Sequence, residues 1–202
     1  KQLIDGAVEA GADAVKLQKR TVEKVYTKEF LDSPRESPWG TTQRDQKLGI
    51  ELRKSDYDWI NEYCKEKNIY WFASAWDIDA QLFLRQYNLR YNKIASAMLT
   101  NIELLKTVAE EGKHTFISTG ISTLKEMESA ISIFENYNCP FEIMQCNSAY
   151  PSLNKEANLY MIDLLRQKFK CKVGFSSHED GRVIALAAVA LGATSIEKHI
   201  PL

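Results

Sequence analysis

The stretch KVGFSSHEDGRVIALAAVALGATSIEKHI, Lys172–Ile200, reads as a strand, a polar loop, a helix and a second strand. Lys172–Ser177 is a short strand-like run, Arg182–Gly192 has the length and apolar content of a helix, and Thr194–Ile200 returns to strand character. Strand, crossover helix and strand predict two parallel neighbours in one sheet. The same unit recurs upstream. Ala14–Gln18, Ile69–Ala75, Tyr91–Ser96, Thr115–Thr119 and Phe141–Asn147 are strand-like. Between them lie helical stretches at Ser55–Lys67, Asp79–Tyr87, Ile102–Glu111, Leu124–Tyr137 and Asn158–Phe169.

That makes seven strands, with a helical pattern (Leu3, Ile4, Ala7, Val8, Ala10) ahead of the first. A (β/α)8 barrel closes on eight. The fold predicted is therefore α/β, a TIM barrel over residues 1–202 read as one domain, with the leading helix where the helix after a first strand would stand. On this reading the chain is expected to be a fragment that lacks that strand. An open doubly wound sheet is the alternative topology, and no GxGxxG supports it. The long interval from Gln18 to Ile69, with Pro34, Pro38, Trp39 and Gly40 and no clear period, is expected as a βα-loop on the C-terminal face, where substrate loops belong. A plain surface insertion is the other reading.

Composition bounds the function. The 202 residues are 45% hydrophobic and 26% charged, with a formal net charge of -1 and no long run of one sign. Nothing in this balance recommends a nucleic-acid or membrane partner. Four cysteines without a CxxC pair read as reduced thiols of a cytoplasmic protein. The longest apolar stretch, around Val183–Leu191, is far shorter than the ~20 residues that span a bilayer.

The chemistry stands at the C-terminal ends of the strands. Strands buried on both faces should be nearly all apolar, yet the ends carry Lys16 and Gln18; Ser74; Lys93 and Ser96; Ser118 and Thr119; Asn147 and Ser148; Ser176, Ser177 and His178; Lys198 and His199. A single serine there is an ordinary helix cap. Agreement among all seven strands points to a shared site. Lys16 and Lys93, if buried, need an anion between them. With hydroxyls from Ser74, Ser96 and Ser118 they describe a phosphate or carboxylate site; the alternative is that each lysine reaches water or a loop acid. His178 and His199 end neighbouring strands ~4.8 Å apart, so two imidazoles could share one metal with positions left open. His114, which precedes its strand, is expected on the opposite, stabilising face.

At these residues the sequence resembles the sialic acid (N-acetylneuraminate) synthase family. The resemblance is carried by AGADAVKLQ (Ala10–Gln18), YNKIAS (Tyr91–Ser96), FISTGIS (Phe116–Ser122), MQCNSAYP (Met144–Pro151), VGFSSHEDG (Val173–Gly181) and LGATSIEKHI (Leu191–Ile200), in the family's order. It implies a (β/α)8 barrel followed by a small antifreeze-like domain, absent here, in a domain-swapped homodimer. It also implies condensation of phosphoenolpyruvate with N-acetylmannosamine or a related amino sugar, with release of phosphate. Carried over by motif, Lys16, Gln18, Ser74, Lys93, Ser96, Ser118 and Ser176 would hold phosphoenolpyruvate and Tyr150 would line the sugar pocket. His178 and His199 would bind the metal, Mn2+ first, with Mg2+ or Co2+ as alternatives.

This chain departs from the family pattern in three ways. Met98 stands where many members carry a glutamate that meets the sugar, and a thioether cannot replace it as an acceptor. Ser148 stands where an asparagine is common, with Asn147 one place earlier. The first strand and the C-terminal domain are missing, so the fragment alone is expected not to turn over. Met98 keeps open a synthase for a different sugar acid, of legionaminic, pseudaminic or spore-coat type. A non-catalytic sugar-binding barrel and a Schiff-base barrel are the rivals from other classes.

Overall fold

The computed structural model describes residues 1–200. Its first element is helix α1 (Gln2–Glu9), followed by strand β1 (Ala14–Lys19). Next come short helices α2 (Val22–Val25) and α3 (Lys28–Leu31), the hairpin β2 (Pro34–Ser37) and β3 (Gly40–Thr42), and helix α4 (Gln43–Ile50). From α5 (Lys54–Glu66) onward strand and helix alternate: β4 (Tyr70–Ala75), α6 (Ile78–Arg85), β5 (Tyr91–Ile94), α7 (Ile102–Ala109), β6 (His114–Ser118), α8 (Leu124–Asn136) and β7 (Phe141–Cys146). The series ends with α9 (Tyr160–Phe169), β8 (Lys172–Ser177), α10 (Val183–Ala190) and β9 (Ile196–Lys198).

Seven strands form one sheet in the order β1-β4-β5-β6-β7-β8-β9, every pair parallel. The βαβ reading of Lys172–Ile200 therefore holds, and so does the parallel sheet. The 18–69 interval leaves the C-terminal end of β1 and leads to α5, as a βα connection does, and it has structure of its own. The interval contains α2, α3, a hairpin and α4, held by contacts that no local period announces. Trp39 lies so close to Gly49 that a Cβ there would come within 2.1 Å of the indole, and Asp45 closes a capping box with Thr42 at the start of α4.

The sheet is strongly curled. Laid flat, six inter-strand steps of ~4.8 Å would separate the edge strands β1 and β9 by about 29 Å. Instead Lys16 Nζ of β1 lies 2.8 Å from Glu197 Oε1 of β9. Curling gives the strands an inner and an outer face with a period of two. Outward residues Ile94, Ile117, Ile143, Val173 and Phe175 are almost completely buried against helix residues such as Leu104, Leu105, Ile131, Phe134 and Leu165. Each such side chain contributes roughly 1.5–3 kcal/mol. Side-chain caps start the helices where the strands end: Asp77 for α6, Asn101 for α7 and Thr123, with Glu126 in a capping box, for α8. Among the described residues no helix is long and apolar enough to cross a membrane, and all four cysteines are free thiols.

Candidate active site

The inner face is stacked in layers along the strands. Its floor is aromatic: Phe116 packs 5.7 Å from Phe72, 5.5 Å from Tyr91 and 5.0 Å from His114, centroid to centroid. His114 opens β6 rather than preceding it, and its Nε2 lies 3.7 Å from the buried Glu142 Oε2. It is thus at the end of the strands away from His178, as expected. Gly174 keeps the middle layer open, since a Cβ there would meet Ser195 Oγ at 2.2 Å and Met144 Sδ at 2.7 Å.

Above this floor the cations converge. Lys93 is 2% exposed, and its Nζ donates to Ser118 Oγ and lies 3.3 Å from Glu197 Oε2. Lys16 Nζ donates to Glu197 Oε1 at 2.8 Å, and Ser176 Oγ donates to the same oxygen at 3.0 Å. The anion that the two lysines require is supplied by the chain itself. Burial pushes the Glu197 carboxyl up, but the Lys93 and Lys16 ammonium groups outweigh it and hold the pKa at about 2. Burial in turn lowers the Lys93 ammonium, with Glu197 opposing the shift. Ser74, paired across the sheet with Gln18 on one side and Lys93 on the other, is 1% exposed, and its Oγ has no hydrogen-bond partner. A buried hydroxyl left without a partner costs roughly 1–3 kcal/mol, and it stands here beside the cations that would draw an oxyanion.

The next layer surrounds Gly120. Its N–H donates to Ser96 Oγ at 3.1 Å, Ser96 Oγ lies 3.2 Å from Cys146 Sγ, and a Cβ on Gly120 would meet Ser148 Oγ at 2.2 Å. Ser96 and Ser148 thus border one small space. Asn147 does not bring its side chain there. Its amide donates to the Glu156 carbonyl at 3.2 Å and its Oδ1 accepts from the Ala149 N–H at 2.9 Å, so it shapes the loop. Gln18 is exposed at the rim, where its Oε1 accepts from Arg20.

At the mouth His178, His199 and Tyr150 form a cluster, with imidazole centroids 5.3 Å apart and the Tyr150 ring 4.0 Å from His178 and 5.4 Å from His199. His178 Nδ1 donates to the Asn147 carbonyl, which fixes the tautomer and leaves Nε2 as acceptor. The Tyr150 hydroxyl donates to that Nε2 at 2.8 Å. Burial lowers both imidazoles below the usual range; at His199 the Lys16 ammonium adds to it. They are therefore neutral at pH 7, as ligands must be. Two neutral imidazoles, one oriented through its far nitrogen, suit a divalent metal with open positions, provided the Tyr150 hydroxyl gives up His178 Nε2. Among the described residues no three metal-ligating side chains form a group.

Three of the strand-end groups belong elsewhere. Thr119 Oγ1 donates to the Met144 carbonyl, Ser177 Oγ to Glu179 at 2.6 Å, and Lys198 Nζ to Ser177 Oγ and the Glu179 carbonyl. Each is one residue out of step with Ser118, Ser176 and Glu197, so it stands on the helix side of the sheet. Glu197 was not among the expected site residues. The strand period would have found it, because it lies two residues from His199 and hence on the same face.

The NeuB family profile matches residues 3–202. The N-acetylneuraminate-9-phosphate synthase of Mus musculus is 35% identical over 205 residues, covering 100% of this chain and 57% of that protein. The N,N'-diacetyllegionaminic acid synthase of Campylobacter jejuni is 32% identical, covering 100% of this chain and 62% of that one. The chain thus spans little more than half the length of the curated relatives it matches. Among solved structures, the N-acetylneuraminic acid synthetase of Leptospira borgpetersenii, in complex with citrate, superposes with a TM-score of 0.87 at 32% identity, covering 98% of this chain and 66% of that one.

Proposed function

The chain belongs to the NeuB family, and on that premise we propose that the protein condenses phosphoenolpyruvate with an amino-sugar aldehyde to give a nonulosonic acid and phosphate. The observation that carries the reading is the pair of lysines on β1 and β5 closing on one half-buried carboxylate, with the unpartnered Ser74 hydroxyl beside them. That is a site whose cations and donors suit the two anionic ends of phosphoenolpyruvate.

In the proposed reaction Lys16 and Lys93 hold the phosphate and carboxylate. Ser74, Ser96, Ser118 and Ser176 donate to their oxygens, and Gln18 closes the rim. The incoming anion competes with Glu197 for the ammonium groups, so Glu197 must turn aside or share them. Once released, the carboxylate is a base beside the reacting carbons, positioned to take a proton from the water that adds. The aromatic floor and the burial of Lys93 exclude bulk water and strengthen these contacts. The lysines then stabilise the departing phosphate.

His178 and His199 would hold the metal, Mn2+ before Mg2+ or Co2+, which supplies Lewis-acid polarisation of the sugar's aldehyde oxygen. Tyr150, over both imidazoles, and Ser148 would line the sugar pocket. Met98 sits partly buried against the core rather than as an acceptor for the sugar, which favours an acceptor other than N-acetylmannosamine itself. We further infer that the whole protein closes the curled sheet into a (β/α)8 barrel and works as a homodimer in the cytoplasm. An exposed apolar face on α10 (Val183, Leu186, Val189) suits a covering segment or partner.

Full-length protein supplied with phosphoenolpyruvate, Mn2+ and a panel of amino sugars tests the reading by phosphate release. Release that depends on one sugar and on the metal is expected. Release independent of any sugar, or none together with no phosphoenolpyruvate binding, would overturn it.

A further inference from the structure

Cys146 ends β7 on the inner face and has no part in the reaction proposed above. It lies two residues beyond Met144, whose sulfur accepts from Ser195 Oγ on that face, and it pairs across the sheet with Ser176 of β8. Other thiols are placed differently. Cys139 donates its S–H to the Lys113 carbonyl at 3.2 Å, at the opposite end of the strands, and Cys64 packs into the core from α5. Cys146 Sγ lies 3.2 Å from Ser96 Oγ, and a Cβ on Gly120 would come within 2.8 Å of the sulfur and 2.9 Å of the hydroxyl. Glycine at 120 thus allows thiol, hydroxyl and backbone N–H to meet.

An anion site is marked here independently of the thiol. Ser74 Oγ is buried without a hydrogen-bond partner, and Ser74 stands two residues beyond Phe72, whose ring packs on Phe116 of the inner floor. It therefore points into the same cavity. Ser96 borders that cavity, and its bonds decide what it offers there. A hydroxyl has one hydrogen to donate and two lone pairs to fill. The Gly120 N–H, which can only donate, fills the first at 3.1 Å. If the Cys146 S–H fills the second, the Ser96 hydrogen turns to the cavity. If Sγ accepts instead, that hydrogen is held by a weak acceptor and Ser96 presents a lone pair, which an anion avoids. A bound oxyanion selects the first arrangement, because a hydrogen bond to a charged oxygen is roughly twice as strong as one between neutral groups.

We propose that Cys146 is a positioning residue, whose S–H donates to Ser96 Oγ and so turns the Ser96 hydroxyl toward bound phosphoenolpyruvate. The inference rests on the condensation proposed above and adds a residue to it. Donation runs one way, from thiol to hydroxyl to oxyanion, and each bond polarises the next. Position 146 thus requires a small side chain with a hydrogen to donate. Serine meets that requirement and alanine does not.

The test is calorimetry of phosphoenolpyruvate binding to full-length protein, without sugar or metal. Cys146→Ala is expected to weaken binding about fivefold, the net effect of one hydrogen bond, and Cys146→Ser to return it to within about twofold of wild type. In a Ser96→Ala background the further change Cys146→Ala should alter affinity less than about twofold, because the thiol then has no hydroxyl to turn. Unchanged or tighter binding in Cys146→Ala would overturn the role, since the sulfur would then only accept. So would failure of serine to restore affinity, or the same loss in the Ser96→Ala background, which would trace the effect to packing rather than to Ser96. Absence of phosphoenolpyruvate binding in wild type would strike the condensation reading itself, and this role with it.

Discussion

Replacing Lys16 and Glu197, singly and together, probes the contact that joins the two edges of the sheet. Their charged groups lie 2.8 Å apart with side chains 19% and 20% exposed. Charge centres ~4 Å apart attract by about 4 kcal/mol at an effective dielectric of 20, before desolvation. Lys16→Met should cost about 2 kcal/mol, because Lys93 and Ser176 still hold the carboxylate. Glu197→Gln should cost about 3 kcal/mol, since it leaves two ammonium groups facing each other in a largely buried site. The double variant should also cost about 3 kcal/mol, because losing Lys16 then relieves that repulsion. The coupling is about 2 kcal/mol, which in urea unfolding is a departure of about 1 M from the additive midpoint for a slope near 2 kcal/mol per M. The pH dependence has a definite sign. The Glu197 pKa is lowered from 4.5 to about 2, so its stabilisation is complete above 4.5 and fades only as pH falls toward 2. The coupling at pH 4 should therefore match that at pH 7. Additivity within ~0.5 kcal/mol at both pH values would refute the curl that brings β1 to β9.

Gly120→Ala should fold with a loss of about 1–3 kcal/mol and bind phosphoenolpyruvate at least tenfold more weakly, because its Cβ displaces the Ser148 and Ser96 hydroxyls; calorimetry with unchanged affinity would remove that layer from the site. His178→Ala and His199→Ala should each weaken Mn2+ binding at least tenfold by paramagnetic resonance of the free ion, and retained affinity in either would take that residue out of the ligand set. Both imidazole pKa values are lowered from 6.5, so Mn2+ affinity in wild type should be flat from pH 8 to 6.5 and fall only below that, where protons compete for the same nitrogens.

The sequence carried the element order because its periods are strong: strands of three to six residues alternate with helices whose caps, such as Asp77 and Thr123, are visible as side chains. It also carried the gathering of polar groups at one end. Which of those groups meet was blurred by grouping neighbours, such as Lys198 with His199 or Ser177 with Ser176, that a strand sends to opposite faces. Glu197 escaped for the same reason, and because a lysine pair in search of an anion suggests a ligand before it suggests the chain's own last strand. The hairpin at 34–42 could not be read locally, since Trp39 finds its seat only on Gly49 of α4. Asn147 looked like a ligand-facing amide, but its bonds go to Glu156 and Ala149 across a loop that strand reading does not reach.

Phosphorus relaxation of phosphoenolpyruvate, followed as Mn2+ is added to the protein, asks whether the lysines and the imidazoles face one cavity. A single cavity predicts strong broadening of the bound phosphorus signal in wild type, lost in His178→Ala while phosphoenolpyruvate still binds. Phosphoenolpyruvate and Mn2+ bound together without broadening beyond that of the free ion would contradict it.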